Sequence, residues 1–337
     1  MARVLLLFGG RSAEHEVSCS SAVSVLEALR SVGHRVVPVG IDRTGAWYLP
    51  DPTRRPLVAD GRPVRLGVPD GVLRVGADEV GFDVAFPVLH GPFGEDGTIQ
   101  GLFEMVEKPY VGCGVLASAV AMDKDVTKRL VRLAGVATSD WVVVRRDGFR
   151  DDPHGAVARV IATLGSDVFV KPTALGSSVG ISRAGSEAEL KESIDEALRY
   201  GDSVVVEETI RGREIEVAML DGPRSSLPGE VFPAGEWYDY DSKYHDEASR
   251  FEAPANLSDG RIAEVRELAA RAFLALGCRG LARVDFFYEQ GKRGFVFNEV
   301  NTMPGFTPIS GFPKMWAATG VSYSELCDEL VSLALGD

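Results

Sequence analysis

Asp285, Glu299 and Asn301 stand in the run ARVDFFYEQGKRGFVFNEVNTMPG, with Arg283 two residues before the aspartate. The apolar stretches around them, Leu281 to Phe287 and Phe295 to Val300, read as two adjacent strands, in which residues two apart project to one face. Glu299 and Asn301 then share a side, and Arg283 and Asp285 share theirs. Two carboxylates and an amide oxygen suit a hard divalent cation such as magnesium, which takes oxygen ligands and keeps substrate phosphates in its shell. Solvated charge on an edge strand is the plainer account of any single Asp or Glu. Polar residues that interrupt apolar runs weigh against it here.

Four loops add to this constellation. VFVKPTALGSSVGIS places Lys171 at a strand end, then Gly176, Ser177, Ser178 and Gly180 in a turn that re-enters a strand. Small residues let backbone N–H groups approach phosphate oxygens, and the lysine brings positive charge, as a phosphate lid requires. It is not a Walker A loop, because the lysine precedes the glycines and a strand follows; a purely structural glycine hairpin is the alternative. In FGGRSAEHEVS, Gly9 and Gly10 free the backbone, while Glu14 and Ser18 lie near a helix N-terminus. The backbone there favours anions and Glu14 suits an ammonium, although a simple capped helix entry has the same residues. PVLHGPFGEDGTIQG brings His90, Glu95 and Asp96 to the strand-end rim where parallel sheets bind ligands, and a lone His there is more often structural. EWYDYDSKYHDE carries Lys243 and several aromatics without helical or strand period, which suits either a mobile cover or plain surface.

The elements that must position these residues alternate along the chain. Val4 to Phe8, a helix from Ser20 to Arg30, Arg35 to Ile41 and Val84 to Leu89 make a βαβ opening with a parallel sheet. Asp42 to Gly81 reads as hairpin excursions at the sheet edge. A second unit begins near Met122, with Asp123 capping a helix Lys124 to Leu133. It continues through strand Trp141 to Val144, helix Pro153 to Leu164, strands Val168 to Val170 and Val179 to Ser182, helix Glu187 to Tyr200 and strand Val204 to Glu207. A third unit follows, with a polar loop Ala234 to Pro254, helix Arg261 to Leu276, the two strands above and a last helix Ser324 to Leu335.

With 337 residues, of which 45% are hydrophobic, the chain has core for two or three domains. A net charge of −13 repels a phosphate backbone and argues against nucleic acid. Val4 to Phe8 is too short for a signal core or a membrane span, so a cytoplasmic protein without membrane attachment is expected. Cys19, Cys113, Cys278 and Cys327 show no CxxC spacing and are expected as buried or incidental thiols.

Taken in order, GGRSAEHEVS, HGPFGEDGTIQG, MDKDVTK, KPTALGSSVG, VVEETIRGREIEVA, YDYDSKY, ARVDFF and NEVNTMPG followed by SGFP resemble the D-alanine–D-alanine ligase family of the ATP-grasp superfamily over nearly the whole length. The resemblance implies an α/β protein with the ATP-grasp fold. Its parts are an N-terminal parallel-sheet α/β domain at 1–121, a central lid domain at 122–208 and a C-terminal α+β domain at 209–337. By position it implies that Lys124, Lys171 and the Ser177–Ser178 loop meet the ATP phosphates, with Lys243 at the terminal one. Glu207 and the backbone near Thr209 and Ile210 would read the adenine edge, and Glu214 the ribose. Asp285, Glu299 and Asn301 would hold two magnesium ions, Glu299 bridging, with manganese a substitute and potassium a candidate activator. Glu14 would take the ammonium of the first D-alanine and His90 would sit by its carboxylate. Arg283 and the Gly305 backbone would stabilise the oxyanion. Ser310 and the Gly311 amide would receive the carboxylate of the second D-alanine, and Tyr244 would close the pocket on Ser177 and Glu14. Two D-alanines and ATP are the implied substrates, and a homodimer through the N-terminal domain the implied assembly.

The implied reaction joins a carboxylate to an amine through an acyl phosphate, from which water must be kept. Hydroxy-acid-using relatives commonly lack the Lys–Tyr pair of the polar loop, so Tyr244 points to the dipeptide product. A ligase for another D-amino acid or for D-lactate is the alternative within the superfamily, and a non-catalytic nucleotide sensor the alternative outside catalysis. A dehydrogenase fails because GGRSAEHE is not GxGxxG.

Overall fold

The computed structural model describes residues 1–176, 179–233 and 250–336. The first strand, β1 (Arg3–Gly9), is buried along almost its full length and reads as an apolar run because it is the inner strand of a parallel sheet. Helix α1 (His15–Ser31) returns the chain to β2 (Arg35–Ile41), and β8 (Val84–Pro87) lies on the other side of β1; both neighbours are parallel to it. Between them β3 (Trp47–Leu49) and β4 (Arg62–Pro63) extend the sheet edge in antiparallel pairing, in the order β4-β3-β2-β1-β8. Strands β5 (Arg65–Leu66), β6 (Leu73–Val75) and β7 (Asp78–Val80) form a small separate sheet, the hairpin excursion expected of this stretch. Helix α1 begins five residues before the expected Ser20, since His15 to Cys19 continue the turn that leaves Gly10.

Two short helices, α2 (Thr98–Met105) and α3 (Val115–Met122), follow, and neither has the long apolar period that would mark it in the sequence. Asp123 then caps α4 (Lys124–Leu133), its side chain accepting from the Val126 N–H at 2.9 Å. The central sheet is antiparallel throughout, in the order β11-β10-β12-β9, from β9 (Trp141–Arg145), β10 (Val168–Pro172), β11 (Ser182–Ala184) and β12 (Ser203–Glu208). Helices α5 (Arg146–Asp151), α6 (Pro153–Leu164) and α7 (Glu187–Ala197) accompany it, and their apolar residues join a core of their own around Val160, Leu190 and Val206. The strand expected at Val179 to Ser182 lies later, because Gly180 adopts φ +72° and turns the chain before β11 can pair with β10.

The third sheet has the path β16-β15-β13-β17-β18, with β14 (Arg224–Ser225) attached to β13 (Arg213–Leu220). Its other members are β15 (Gly229–Phe232), β16 (Arg250–Glu252), β17 (Leu281–Glu289) and β18 (Gly294–Asn301), and α8 (Asp259–Ala275) covers one face. Val131 of α4 and Val136 pack into that same core, so α4 lies on the third sheet and not on the central one whose strands it precedes. Helices α9 (Gly311–Ala318) and α10 (Tyr323–Leu335) pack back on the first unit: Trp316, Leu326 and Leu330 share a core with Phe8, Leu26 and Phe86. Each such fully buried side chain contributes about 1.5–3 kcal/mol, and the first and third units are thereby joined by one continuous core. All four cysteines are buried free thiols.

Candidate active site

The two strands expected to carry the acidic set pair so that Arg283 lies opposite Asn301 and Asp285 opposite Glu299. A third strand adds to the row, because β13 places Glu216 opposite Asp285 on the other side. Antiparallel partners share a face, so Glu216, Asp285 and Glu299 form a line of carboxylates across the sheet, with Arg283 among them. The Arg283 guanidinium donates to both oxygens of Asp285, at 2.8 and 2.7 Å, and lies 3.4 Å from Glu216 Oε1. Burial pulls its pKa down, but the charges of Asp285, Glu216 and Glu299 outweigh that and hold it well above its ordinary value. One fixed cation thus sits among three acids.

The donor chemistry fits a divalent cation. Asn301 spends Nδ2 on Asp285 Oδ2 at 3.0 Å, so of its two amide atoms the carbonyl oxygen is the one that could serve a cation. Among the described residues no three His, Cys, Asp or Glu side chains converge as a closed metal cage; two carboxylates and an amide beside an open cavity suit an ion that takes the rest of its shell from phosphate and water.

Opposite this row, Lys171 on β10, Glu207 on β12 and Lys128 on α4 meet in a buried cluster. Glu207 Oε2 lies 3.0 Å from Lys128 Nζ and 3.4 Å from Lys171 Nζ, and it accepts from Ser139 Oγ at 3.0 Å. Burial alone would raise the Glu207 pKa, but the two ammonium groups prevail and bring it to about 2. Burial likewise drives the Lys128 pKa down, with Glu207 opposing the shift. Lys171 also reaches Asn298 Oδ1 at 3.3 Å, and Lys124 Nζ donates to the Leu175 carbonyl at 2.6 Å at the start of the glycine-serine loop. Thr209 fixes the exit of β12 by donating to Asp167 Oδ1 at 2.9 Å.

The first unit closes the third side. Glu14, at the N-terminus of α1, is buried and lies against Gly91, where a Cβ would stand 3.0 Å from Glu14 Oε2. Glu95 accepts from the Gly91 N–H at 2.7 Å and, across to the third unit, from the Met303 N–H at 3.3 Å. Desolvation, reinforced by the charge of Glu14, pushes the Glu95 carboxyl up to about 8. His90 Nδ1 lies 2.9 Å from the Met303 carbonyl, which only accepts, so that nitrogen carries the hydrogen; Nε2 faces Ser21 Oγ at 3.4 Å. Both ring nitrogens are therefore turned to protein groups, and His90 holds the loop that leads to Gly305. At the far end Ser310 stands at the N-cap position of α9 without a side-chain capping bond, its hydroxyl instead 2.8 Å from Thr307 Oγ1, and Gly311 is pressed so closely that a Cβ would come 2.7 Å from Glu216 Oε2.

Glu14, His90, Lys124, Lys171, Glu207, Thr209, Ile210, Glu214, Arg283, Asp285, Glu299, Asn301, Gly305, Ser310 and Gly311 all line one cavity of about 1550 Å³. Ser177, Ser178, Lys243 and Tyr244 lie outside the described residues. Two family models match the sequence, the D-ala D-ala ligase N-terminus over residues 3–113 and the D-ala D-ala ligase C-terminus over residues 130–332. The chain belongs to the D-alanine–D-alanine ligase family. Curated relatives in that family include a D-alanine–D-alanine ligase of Pseudarthrobacter chlorophenolicus, 46% identical with 99% of this chain and 94% of the relative covered. The D-alanine–D-alanine ligase A of Bradyrhizobium diazoefficiens is 45% identical, with 99% and 95% covered. Among solved structures, the D-alanine–D-alanine ligase from Coxiella burnetii superposes with a TM-score of 0.88 at 35% identity, covering 99% of this chain and 94% of that one. The D-Ala:D-Ser ligase VanG from Enterococcus faecalis gives 0.87 at 35% identity, covering 98% and 99%. The three-unit arrangement is the ATP-grasp fold of these ligases.

The sequence did not single out Lys128, Ser139, Glu216 or Asn298. Lys128 follows Lys124 by four residues, which puts both on one face of α4 and was the available signal. Glu216 has the strand spacing from Glu214. Ser139 and Asn298 carried no signal beyond polarity.

Proposed function

We propose that the chain joins two D-alanine molecules into D-alanyl-D-alanine at the expense of ATP, supplying a precursor for peptidoglycan. The reading is supported chiefly by one cavity that holds an acidic ammonium pocket at Glu14, a nucleotide-type cluster at Lys124, Lys171 and Glu207, and an arginine beside metal-type oxygens between them. A carboxylate oxygen of the first D-alanine attacks the terminal phosphorus of ATP and ADP leaves. The amine of the second D-alanine then attacks the acyl carbon, phosphate leaves, and the amine loses a proton.

In this reading Glu207 and the Thr209–Ile210 backbone meet the base and Glu214 the ribose. Lys124 and Lys171, with Ser177, Ser178 and Lys243, meet the phosphates. Asp285, Glu299 and Asn301 hold two divalent ions, magnesium or manganese, which supply charge neutralisation for the transferring phosphoryl group. Arg283 and the Gly305 N–H face the oxygen on which negative charge develops, and being fixed beforehand they need no reorganisation at that moment. Glu14 binds the first ammonium, Ser310 and Gly311 the second carboxylate, and Tyr244 closes the pocket. His90, by gripping Met303, orients the Gly305 loop as well as bordering the first substrate. No helix of the described residues is long and apolar enough to cross a membrane, and we place the enzyme in the cytoplasm as a homodimer, with potassium as an activator.

The deciding experiment is ADP release with and without D-alanine, followed by product identification with D-alanine, D-serine and D-lactate offered as acceptors. D-Alanine-dependent ADP release with D-alanyl-D-alanine as the main product is expected. Nucleotide binding without release would favour a sensor, and preference for D-serine would favour the specificity that the VanG name carries.

A further inference from the structure

Lys128 is buried and takes no part in the roles just assigned, yet its ammonium is tied from behind to Glu207, which lines the cavity. It donates to Ser139 Oγ at 2.6 Å and lies 3.0 Å from Glu207 Oε2, while Ser139 Oγ donates to that same oxygen at 3.0 Å. With Lys171 on the other side at 3.4 Å, three donors converge on Oε2. The second oxygen, Oε1, is buried and has no hydrogen-bond partner among the described residues. A buried acceptor without a donor is costly. A carboxylate held so firmly by one oxygen presents the other as a fixed acceptor for a ligand hydrogen.

We propose that Lys128 and Ser139 are positioning residues that clamp Glu207 so that Oε1 alone faces the nucleotide base, and that this clamp makes the site select a 6-amino purine over a 6-oxo purine. The inference rests on the reading of the cavity as an ATP site and adds how its base is chosen. An exocyclic amino group donates a hydrogen to Oε1. A keto oxygen in the same place sets lone pairs against a buried carboxylate with no hydrogen between them. Because water is excluded from Oε1, the mismatch is not relieved by solvation, which is the situation in which polar discrimination is steepest. Lys124 and Lys128, one turn apart on α4, would then serve the phosphates and the base from a single helix.

A purely structural ion pair between α4 and β12 makes a different forecast, namely loss of stability with base preference intact. The test compares kcat/KM for ATP and for inosine triphosphate in D-alanine-dependent nucleotide turnover, for the unaltered enzyme, Lys128→Met, Lys128→Arg and Ser139→Ala. Preference for ATP should fall about 10-fold or more in Lys128→Met, mainly through a higher KM for ATP, and by a smaller factor in Ser139→Ala. Lys128→Arg should restore part of it. A folded Lys128→Met with the original ATP-to-inosine-triphosphate ratio overturns the proposal. If that variant does not fold, the Ser139→Ala ratio decides in the same sense. Should the unaltered enzyme release no ADP, the ligase reading fails by itself, and calorimetric binding of the two triphosphates to the same variants still decides whether the clamp chooses the base.

Discussion

Arg283 is a residue whose surroundings leave it little freedom. It is the largely buried cation among Glu216, Asp285 and Glu299, and its removal strands carboxylates that are held at short range. Arg283→Ala should lower D-alanine-dependent phosphate release by about 10²–10³-fold or more and cost about 3–5 kcal/mol of stability, as broken buried ion pairs do. Glu299→Gln keeps the shape and removes one charge, so it should lose activity on a similar scale with little change in the circular dichroism spectrum. Normal turnover in both variants would refute the roles given to this row. Glu95 makes a pH statement. Burial and the charge of Glu14 push its carboxyl up to about 8, so from the ordinary carboxyl range near pH 4–5 up to about 8 the folded protein keeps a proton that the unfolded chain has lost. Stability must therefore fall as pH rises through that window, by an amount on the order of a few kcal/mol. Melting temperatures across pH 5–8.5 should slope downward, and Glu95→Gln should flatten the slope; an unchanged slope would show that the Glu95 proton is not the cause.

At the scale of elements, the decisive feature is a bulge. The pairing of β17 with β18 runs Asp285 to Glu299 and then Phe286 to Phe297, so Asn298 is the extra residue. A bulge reverses which face later residues take. That is why Phe295 and Phe297 pack in the core, although Glu299 and Asn301, at the same spacing, face the cavity. It also turns Asn298 toward Lys171. The start of α9 is similarly constrained. A Cβ on Gly311 would meet Glu216 Oε2 at 2.7 Å and the Phe251 ring at 2.9 Å, and Glu216 cannot retreat without leaving Arg283. Gly311→Ala should raise the KM for the acceptor D-alanine about 10-fold or more and leave the KM for ATP near its original value. An acceptor KM unaffected by the methyl group would place the second substrate elsewhere.

For the whole molecule, cohesion is unequal. The core of the first unit includes Ala218, Leu281, Phe312 and Trp316 from the third, whereas the central unit, residues 141–208, has a core of its own. Leu190→Ala should cost about 2–5 kcal/mol and lower hydrogen-exchange protection in the central unit alone. Leu330→Ala, of similar cost, should lower protection on both sides of the joint core. Uniform loss of protection across all three units in both variants would contradict this division.

The sequence by itself determined the types of donor, the order of the motifs and the strands that carry Asp285, Glu299 and Asn301, because apolar runs, glycine turns and the Asp123 cap are local signals that act over a few residues. The family followed from those motifs, and the structural neighbours carry the same fold. Local pattern did not extend to partners: Lys171 meets Asn298 across 127 positions and His90 meets Met303 across 213. Only the tertiary structure decided that His90 spends both nitrogens on protein groups, that α4 lies on the third sheet, and that Lys128, Ser139 and Lys171 converge on one oxygen of Glu207 while the other has no partner among the described residues. The reason is that the chain's spacing limits which residues are neighbours along an element, whereas burial and the need to satisfy each buried polar group choose neighbours between elements.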